Sequence, residues 1–136
     1  MDYESVRAKL HDWAGMFDLK EIAYDPWNAT DLVSRLTETD GFTCVPIRQG
    51  YASLSGPTKA LEKAVMGKEL RHDGHPILRW NISNAAVEQD PTGNIKVSKK
   101  VSTERIDGVA ALVNAKGRMD VNSGQAPPVA VLAEWV

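Results

Sequence analysis

An α/β fold is predicted for this chain, with helices flanking a mixed sheet and a β-hairpin near residues 85–97. Three observations carry the prediction. The first 47 residues alternate between helical apolar spacing and short runs of β-forming residues. A strand, helix, strand order usually forms a parallel crossover. Further on, turn residues 90–94 separate two short strand-like runs, which is typical of an antiparallel hairpin.

Four elements are predicted before residue 48. They are a helix over 2–16, a strand over 19–24, a helix that ends at 40–41 and a strand over 42–47. Asp25-Pro26 ends the first strand, because proline restricts the residue before it. Asn28 or Thr30 is expected to cap the second helix.

Residues 57–118 predict two further helices around the hairpin. Pro57 is expected to begin a helix that ends before Gly67, and 70–74 to form a short return strand. Ser102 or Thr103 is expected to cap a helix over 104–118. We predict one domain over 1–123 and treat 124–136, which contains Gly and Pro, as a C-terminal tail that docks on this domain or on a partner.

Composition excludes several classes of protein. With 43% hydrophobic and 25% charged residues among 136, the chain is typical of soluble globular proteins. A net charge of -2 excludes binding of nucleic acid through bulk positive charge, so any DNA site must be a local patch. The single cysteine excludes an internal disulfide and favours a cytoplasmic location, and the sequence contains no membrane-spanning stretch.

Two acidic residues occupy unusual settings. Asp25 ends an apolar strand and Asp107 lies near the start of an apolar helix, whereas most acids lie among polar neighbours. If that helix packs beside the strand, both carboxylates converge on Mg²⁺ or Mn²⁺, which prefer oxygen ligands. The alternative interpretation is structural: Asp25 precedes a turn and Asp107 complements the positive end of a helix.

Several motifs resemble one known family, in the same order along the chain. Residues 23–29 resemble the strand-end motif of phage terminase large-subunit nuclease domains, and 105–112 resemble the last acidic helix motif of that family. Between them, the similar segments are 49–55 with Pro57, 75–81 with Asn84, 90–96, and 99–100. The resemblance runs from about 21 to 119, so one chance motif does not explain it.

This resemblance implies a ribonuclease-H-like nuclease that cuts concatemeric double-stranded viral DNA with two divalent metals, Mg²⁺ or Mn²⁺. It implies that Asp25 and Asp107 are the second and last acids of the catalytic cluster, with the first acid on an earlier strand. The terminase small subunit and the portal are the partners implied for the full-length protein. No Gly-x-x-x-x-Gly-Lys-Ser/Thr loop of an ATPase motor occurs here.

Other residues are candidates for contacts with DNA or with a metal-bound water. The cations Lys96, Lys99, Lys100 and Arg105 suit a phosphate track, or else form a solvated face. By resemblance, Asn84 orients metal-bound water, and otherwise it is a turn residue. The four tryptophans either stack on bases or, as we expect, pack in the core.

The interpretation favoured is therefore part of a terminase nuclease domain, weak or inactive alone because the first acid is missing, in the cytoplasm of the host cell. An exposed strand edge would favour a homodimer. The alternative is a catalytically inactive prophage remnant that binds DNA or a protein.

Overall fold

The strand, helix, strand order predicted before residue 48 is present in the computed structural model, which describes residues 2–123. Helix α1 spans Tyr3–Met16, and its N-terminus is capped by the Asp2 carboxylate. Strand β1 (Ile22–Tyr24) pairs in parallel with strand β2 (Cys44–Pro46). Helix α2 (Thr30–Ser34) lies between them and continues as a π-helical segment, Arg35–Thr39. The predicted parallel pair is confirmed.

Charged side chains tie α1 to the segment that follows α2. Arg7 donates to both carboxylate oxygens of Asp40, over 2.8 Å from Nε and 2.7 Å from Nη2. The His11 Nε2 atom lies 3.1 Å from the same carboxylate, whose side chain is only 6% exposed. These bonds, mainly those from Arg7, lower the pKa of Asp40 to about 2. We call this group the Arg7–Asp40 clamp.

Contacts divide the chain between Ile47 and Arg48 into two compact units. Within the second unit, the described elements are helix α3 (Tyr51–Met66), helix α4 (Pro76–Asn84), strand β3 (Val87–Gln89), strand β4 (Ile95–Val97) and helix α5 (Asp107–Asn122).

The core of the second unit lies where α3 packs against α5 and β4. Its buried apolar side chains are Leu54, Leu61, Ala64, Ile106, Val109, Leu112 and Val113. The two helices approach closely at Gly117, where a Cβ atom would lie 2.8 Å from Cγ of Pro57. Glycine is therefore needed at this crossing.

The predicted hairpin is confirmed, with β3 antiparallel to β4. Asp90 organises its turn by accepting hydrogen bonds from the backbone N–H groups of Thr92 (3.0 Å) and Asn94 (2.8 Å). Gly93 takes a positive φ of 87°, which favours glycine.

The predicted start of α3 was wrong. The helix begins at Tyr51 after an extended Gly50, so Pro57 lies inside it. Proline has no backbone N–H to donate and is usually unfavourable in the interior of a helix. Here the ring of Pro57 packs against Gly117 of α5, and this tertiary contact overrides the local preference.

Three other local predictions were also wrong. Residues 70–74 form no strand. Helix α2 has Ala29 at its N-cap without a side-chain bond; Asn28 takes a positive φ of 56° before it, and Thr30 is the first helical residue. Helix α5 begins at Asp107 and not near 104. Ser102 does not cap it, since its hydroxyl donates to the Ser98 carbonyl (2.6 Å) and accepts the Ala86 N–H (3.0 Å).

The α/β class is confirmed. Among the described residues, the strands form two separate two-stranded sheets, one parallel (β1 and β2) and one antiparallel (β3 and β4), together with the helices. The predicted C-terminal tail, 124–136, lies outside those residues. No helix within 2–123 is long and apolar enough to cross a membrane.

Candidate functional site

Asp107 is the first residue of α5, as its predicted place near a helix start requires. Its side chain is 62% exposed, and Oδ1 accepts a hydrogen bond from Lys99 Nζ over 2.5 Å. The bond to Lys99, helped by the charges of Lys99 and Arg105, lowers the pKa of Asp107. The carboxylate is therefore ionised and accessible at neutral pH.

An open cleft of about 410 Å³ surrounds this carboxylate, between the end of the hairpin and the start of α5. The residues that line it are Lys99, Ser102, Thr103, Glu104, Arg105, Ile106 and Asp107. Its charged groups are thus two cations and two acids. Of these groups, Lys99 and Arg105 have the charge that suits contact with a phosphate.

Asn84, at the end of α4, supports the wall of the cleft. Its side-chain Nδ2 donates to the Arg105 backbone carbonyl, and its backbone carbonyl accepts the Thr103 N–H, both over 3.3 Å. In this structure Asn84 therefore holds the segment before Asp107. A role in orienting water stays a prediction.

The four predicted DNA-binding cations do not form one group. Lys99 and Arg105 lie at the cleft with Asp107, whereas Lys96 and Lys100 are not among its lining residues. Lys96 is half-buried, with Nζ 4.9 Å from the centre of the Tyr51 ring and 3.5 Å from the Gln49 carbonyl. This cation–π contact stabilises the hairpin against α3.

Asp25 lies in the first unit, directly after β1, where the prediction placed it. Its side chain is exposed, and Oδ1 accepts the Trp27 N–H over 3.0 Å. This short turn is local, since the bond joins residues two apart. The turn that the structural interpretation expected after Asp25 is therefore present, and the role of Asp25 as a metal ligand stays a prediction.

Both aspartates have the chemistry that a divalent cation needs. They present exposed carboxylate oxygens, the ligands that Mg²⁺ and Mn²⁺ prefer. Within 2–123, no group of three or more His, Cys, Asp or Glu side chains is placed to hold a metal. Mg²⁺ is nonetheless commonly bound through one or two carboxylates, with water and substrate phosphates completing its shell. The donor chemistry thus fits.

Comparison with known proteins identifies the family. Residues 1–122 match the sequence profile of the terminase large subunit, endonuclease domain. The chain belongs to this family. The predicted resemblance is thereby confirmed.

Individual relatives support the same family assignment. The chain is 32% identical over 119 residues to the terminase large subunit of Enterobacteria phage HK97, which covers 86% of this chain and 23% of that protein. It is 36% identical over 120 residues to protein YmfN of Escherichia coli K12, covering 87% and 26%. The chain thus spans about a quarter of the length of these relatives.

A solved structure shows the same fold. The crystal structure of the HK97 bacteriophage large terminase superposes with a TM-score of 0.78 at 32% identity, covering 87% of this chain and 25% of that one. The ribonuclease-H-like terminase nuclease assignment of the fold is therefore confirmed.

One residue at the site of this terminase domain, Asn81, was not predicted from the sequence. Asn81 in α4 is buried at 4% exposure, and its Oδ1 accepts the Gly108 N–H over 2.7 Å. A signal existed: Leu78, Asn81 and Asn84 repeat every three residues, which places two amides on one face of α4.

The expectation that the tryptophans lie in the core was wrong. Trp13, Trp27 and Trp80 are 43%, 80% and 45% exposed, and Trp135 lies outside the described residues. An indole combines a large apolar body with a polar N–H and tolerates a partly wet surface.

Proposed function

We propose that this chain is part of the endonuclease domain of a DNA-packaging terminase large subunit. The reaction is metal-dependent hydrolysis of phosphodiester bonds in concatemeric viral double-stranded DNA. One observation carries the proposal beyond the family: the exposed Asp107, whose pKa is lowered, lines an open cleft together with the cations Lys99 and Arg105.

Each residue has a definite part in this proposal. Asp25 and Asp107 would hold two divalent ions, Mg²⁺ or Mn²⁺, which supply an activated water and stabilise the leaving oxygen. Lys99 and Arg105 attract a DNA phosphate to the cleft, and exposed Lys100 extends the positive surface. Lys96 supports this surface through its contact with Tyr51.

The proposal extends to the full-length protein. Its partners are double-stranded DNA, the terminase small subunit and the portal, and its location is the host cytoplasm. Because no group of three metal-binding side chains forms within 2–123, we expect weak metal binding and slow cleavage by this chain alone. Self-association as a homodimer stays a prediction, which sedimentation analysis tests.

Cleavage by a full-length terminase carrying this domain tests the assignment. Asp25→Ala and Asp107→Ala should each reduce Mn²⁺-dependent cleavage of duplex DNA to background, because each removes a metal ligand. The matched controls are Asp31→Ala, an exposed acid of α2, and Asp120→Ala, at the far end of α5. Both controls should retain cleavage.

Unchanged cleavage by either site variant would contradict its assignment as a ligand. Wild-type protein that binds DNA in Mn²⁺ without cutting it would instead favour an inactive prophage remnant acting as a binding module. Thermal unfolding of every variant shows that loss of activity is not loss of folding.

A further inference from the structure

The first turn of α5 lacks a cap from its own sequence. Ile106 occupies the N-cap position, and no side chain next to it in sequence accepts a hydrogen bond from the helix. The first N–H groups of a helix have no partner within it and need acceptors from elsewhere. Ile106 itself is 1% exposed, whereas Asp107 and Gly108 are exposed.

Asn81 of α4 supplies an acceptor, although it lies 27 residues earlier in the chain. Its Oδ1 accepts the N–H of Gly108, the residue next to Asp107, over 2.7 Å. Asn81 is 4% exposed, so the acceptor side of this bond is buried, whereas Gly108 is exposed. The amide therefore acts as a cap delivered from another helix.

The lack of a side chain at Gly108 lets the Asn81 amide approach closely. A Cβ atom at position 108 would lie 3.0 Å from Oδ1 of Asn81 and 3.5 Å from Cδ1 of Leu78. The first distance is tighter than most Cβ contacts, so a side chain at position 108 requires the Asn81 amide to shift by a few tenths of an ångström. Glycine is otherwise unfavourable in a helix, so the close approach gives position 108 a reason to be glycine.

A second side-chain amide binds the same segment on the N-terminal side of Asp107. Asn84, one turn further along α4, donates to the Arg105 carbonyl over 3.3 Å. The two amides thus bind the backbone at 105 and at 108, with Asp107 between them. These backbone bonds fix where the Asp107 main chain lies, and Lys99 then hydrogen-bonds its exposed carboxylate.

We propose that Asn81 is a positioning residue for Asp107, which anchors the first turn of α5 so that the carboxylate meets a divalent cation. This inference rests on the proposed function, because it assigns Asn81 to the metal chemistry of that site. Asn81 acts only through the Gly108 backbone and does not itself touch metal or DNA.

Three variants separate positioning from general stability. Asn81→Leu keeps the size of the side chain but removes the acceptor, and Asn81→Asp restores an acceptor oxygen at the same place. Gly108→Ala keeps Asn81 but crowds its oxygen, although alanine ordinarily stabilises a helix. Ile82→Leu, a partly exposed residue of the same helix, is the matched control.

Two measurements on the folded chain read out these variants by NMR. Hydrogen exchange of the Gly108 amide should become about tenfold faster in Asn81→Leu, since a hydrogen bond of typical strength is lost. It should keep the wild-type rate in Asn81→Asp and Ile82→Leu. Equal exchange in all of these proteins would overturn the anchor.

Titration with Mn²⁺ alone, followed by paramagnetic broadening at Asp107, tests the positioning. The dissociation constant should rise about tenfold in Asn81→Leu and Gly108→Ala, the scale for residues that orient metal ligands. Asn81→Asp should restore affinity. If Asn81→Leu does not fold, Gly108→Ala carries the same test.

The outcomes distinguish this inference from the proposed function. Mn²⁺ affinity that is equal in the wild type and Gly108→Ala overturns the positioning role while leaving Asp107 as a ligand. No broadening at Asp107 in the wild type counts against the metal site, and the exchange measurement then still decides whether Asn81 anchors the turn.

Discussion

The two units of the chain are stabilised by different means. Among described residues up to Ile47, Leu36 is the only buried apolar side chain, and the Arg7–Asp40 clamp joins the helical segments. In the second unit, seven apolar side chains are buried among residues 48–123, where α3 packs against α5 and the hairpin. The first unit thus depends more on charge, and the second on packing.

The candidate acids reflect this difference. Asp25 is held by a hydrogen bond within its own turn, to the Trp27 N–H. The position of Asp107 depends instead on Asn81 of α4, which is distant in sequence, and on its neighbour Ile106, which is buried in the core. Local chemistry therefore fixes one acid, and tertiary structure fixes the other.

The largest expected effect is that of Ile106→Ala. Ile106 is 1% exposed, and truncating a fully buried isoleucine costs about 2–5 kcal/mol of unfolding free energy, including the cavity left behind. Urea denaturation measures this loss. The control Ile77→Ala, at a residue of α4 that is 64% exposed, should change stability by less than about 0.5 kcal/mol. Equal losses would contradict a packing-dominated second unit.

Features that depend on neighbouring residues could be predicted from the sequence. Asp90 and Gly93 are turn residues, and the hairpin forms around them. The Asp25-Pro26 pair ends β1 because proline restricts its neighbour, whatever the remainder of the fold. In these cases the local free energy and the fold agree.

Features that depend on distant residues could not. Ser102 has the chemistry of a helix cap, but its hydroxyl is used by Ser98 and Ala86. The cap of α5 comes instead from Asn81, which no local pattern connects to Gly108. The same reasoning applies to Pro57, whose place inside α3 follows from its contact with Gly117.

Acid should weaken the first unit through the Arg7–Asp40 clamp. Bonds from Arg7 lower the folded-state pKa of Asp40 from 3.8 to about 2. A lowered pKa means that the stabilisation is present above pH 3.8 and is lost as the pH falls through about 2. Amide NMR signals of α1 and α2 should report this loss.

Asp40→Asn tests the source of this pH dependence. It should weaken the first unit at neutral pH and flatten its acid profile, because the titrating group is gone. Asp18→Asn is the matched control, since the Asp18–Lys20 pair is exposed on both sides and contributes little. An Asp40→Asn profile as steep as that of the wild type would show that other carboxyl groups control acid unfolding.

The smallest expected effect concerns Asp107 itself. Lys99→Met removes the hydrogen bond that contributes most to lowering the pKa of Asp107, so this pKa should rise toward 3.8. Stability should hardly change, because both partners of the pair are exposed. Carbon NMR of the Asp107 carboxylate measures the titration, and Lys100→Met, at an exposed neighbouring lysine, should leave it unchanged. If Lys99→Met also leaves it unchanged, Lys99 does not control the ionisation, and the start of α5 and Arg105 would account for the lowered pKa.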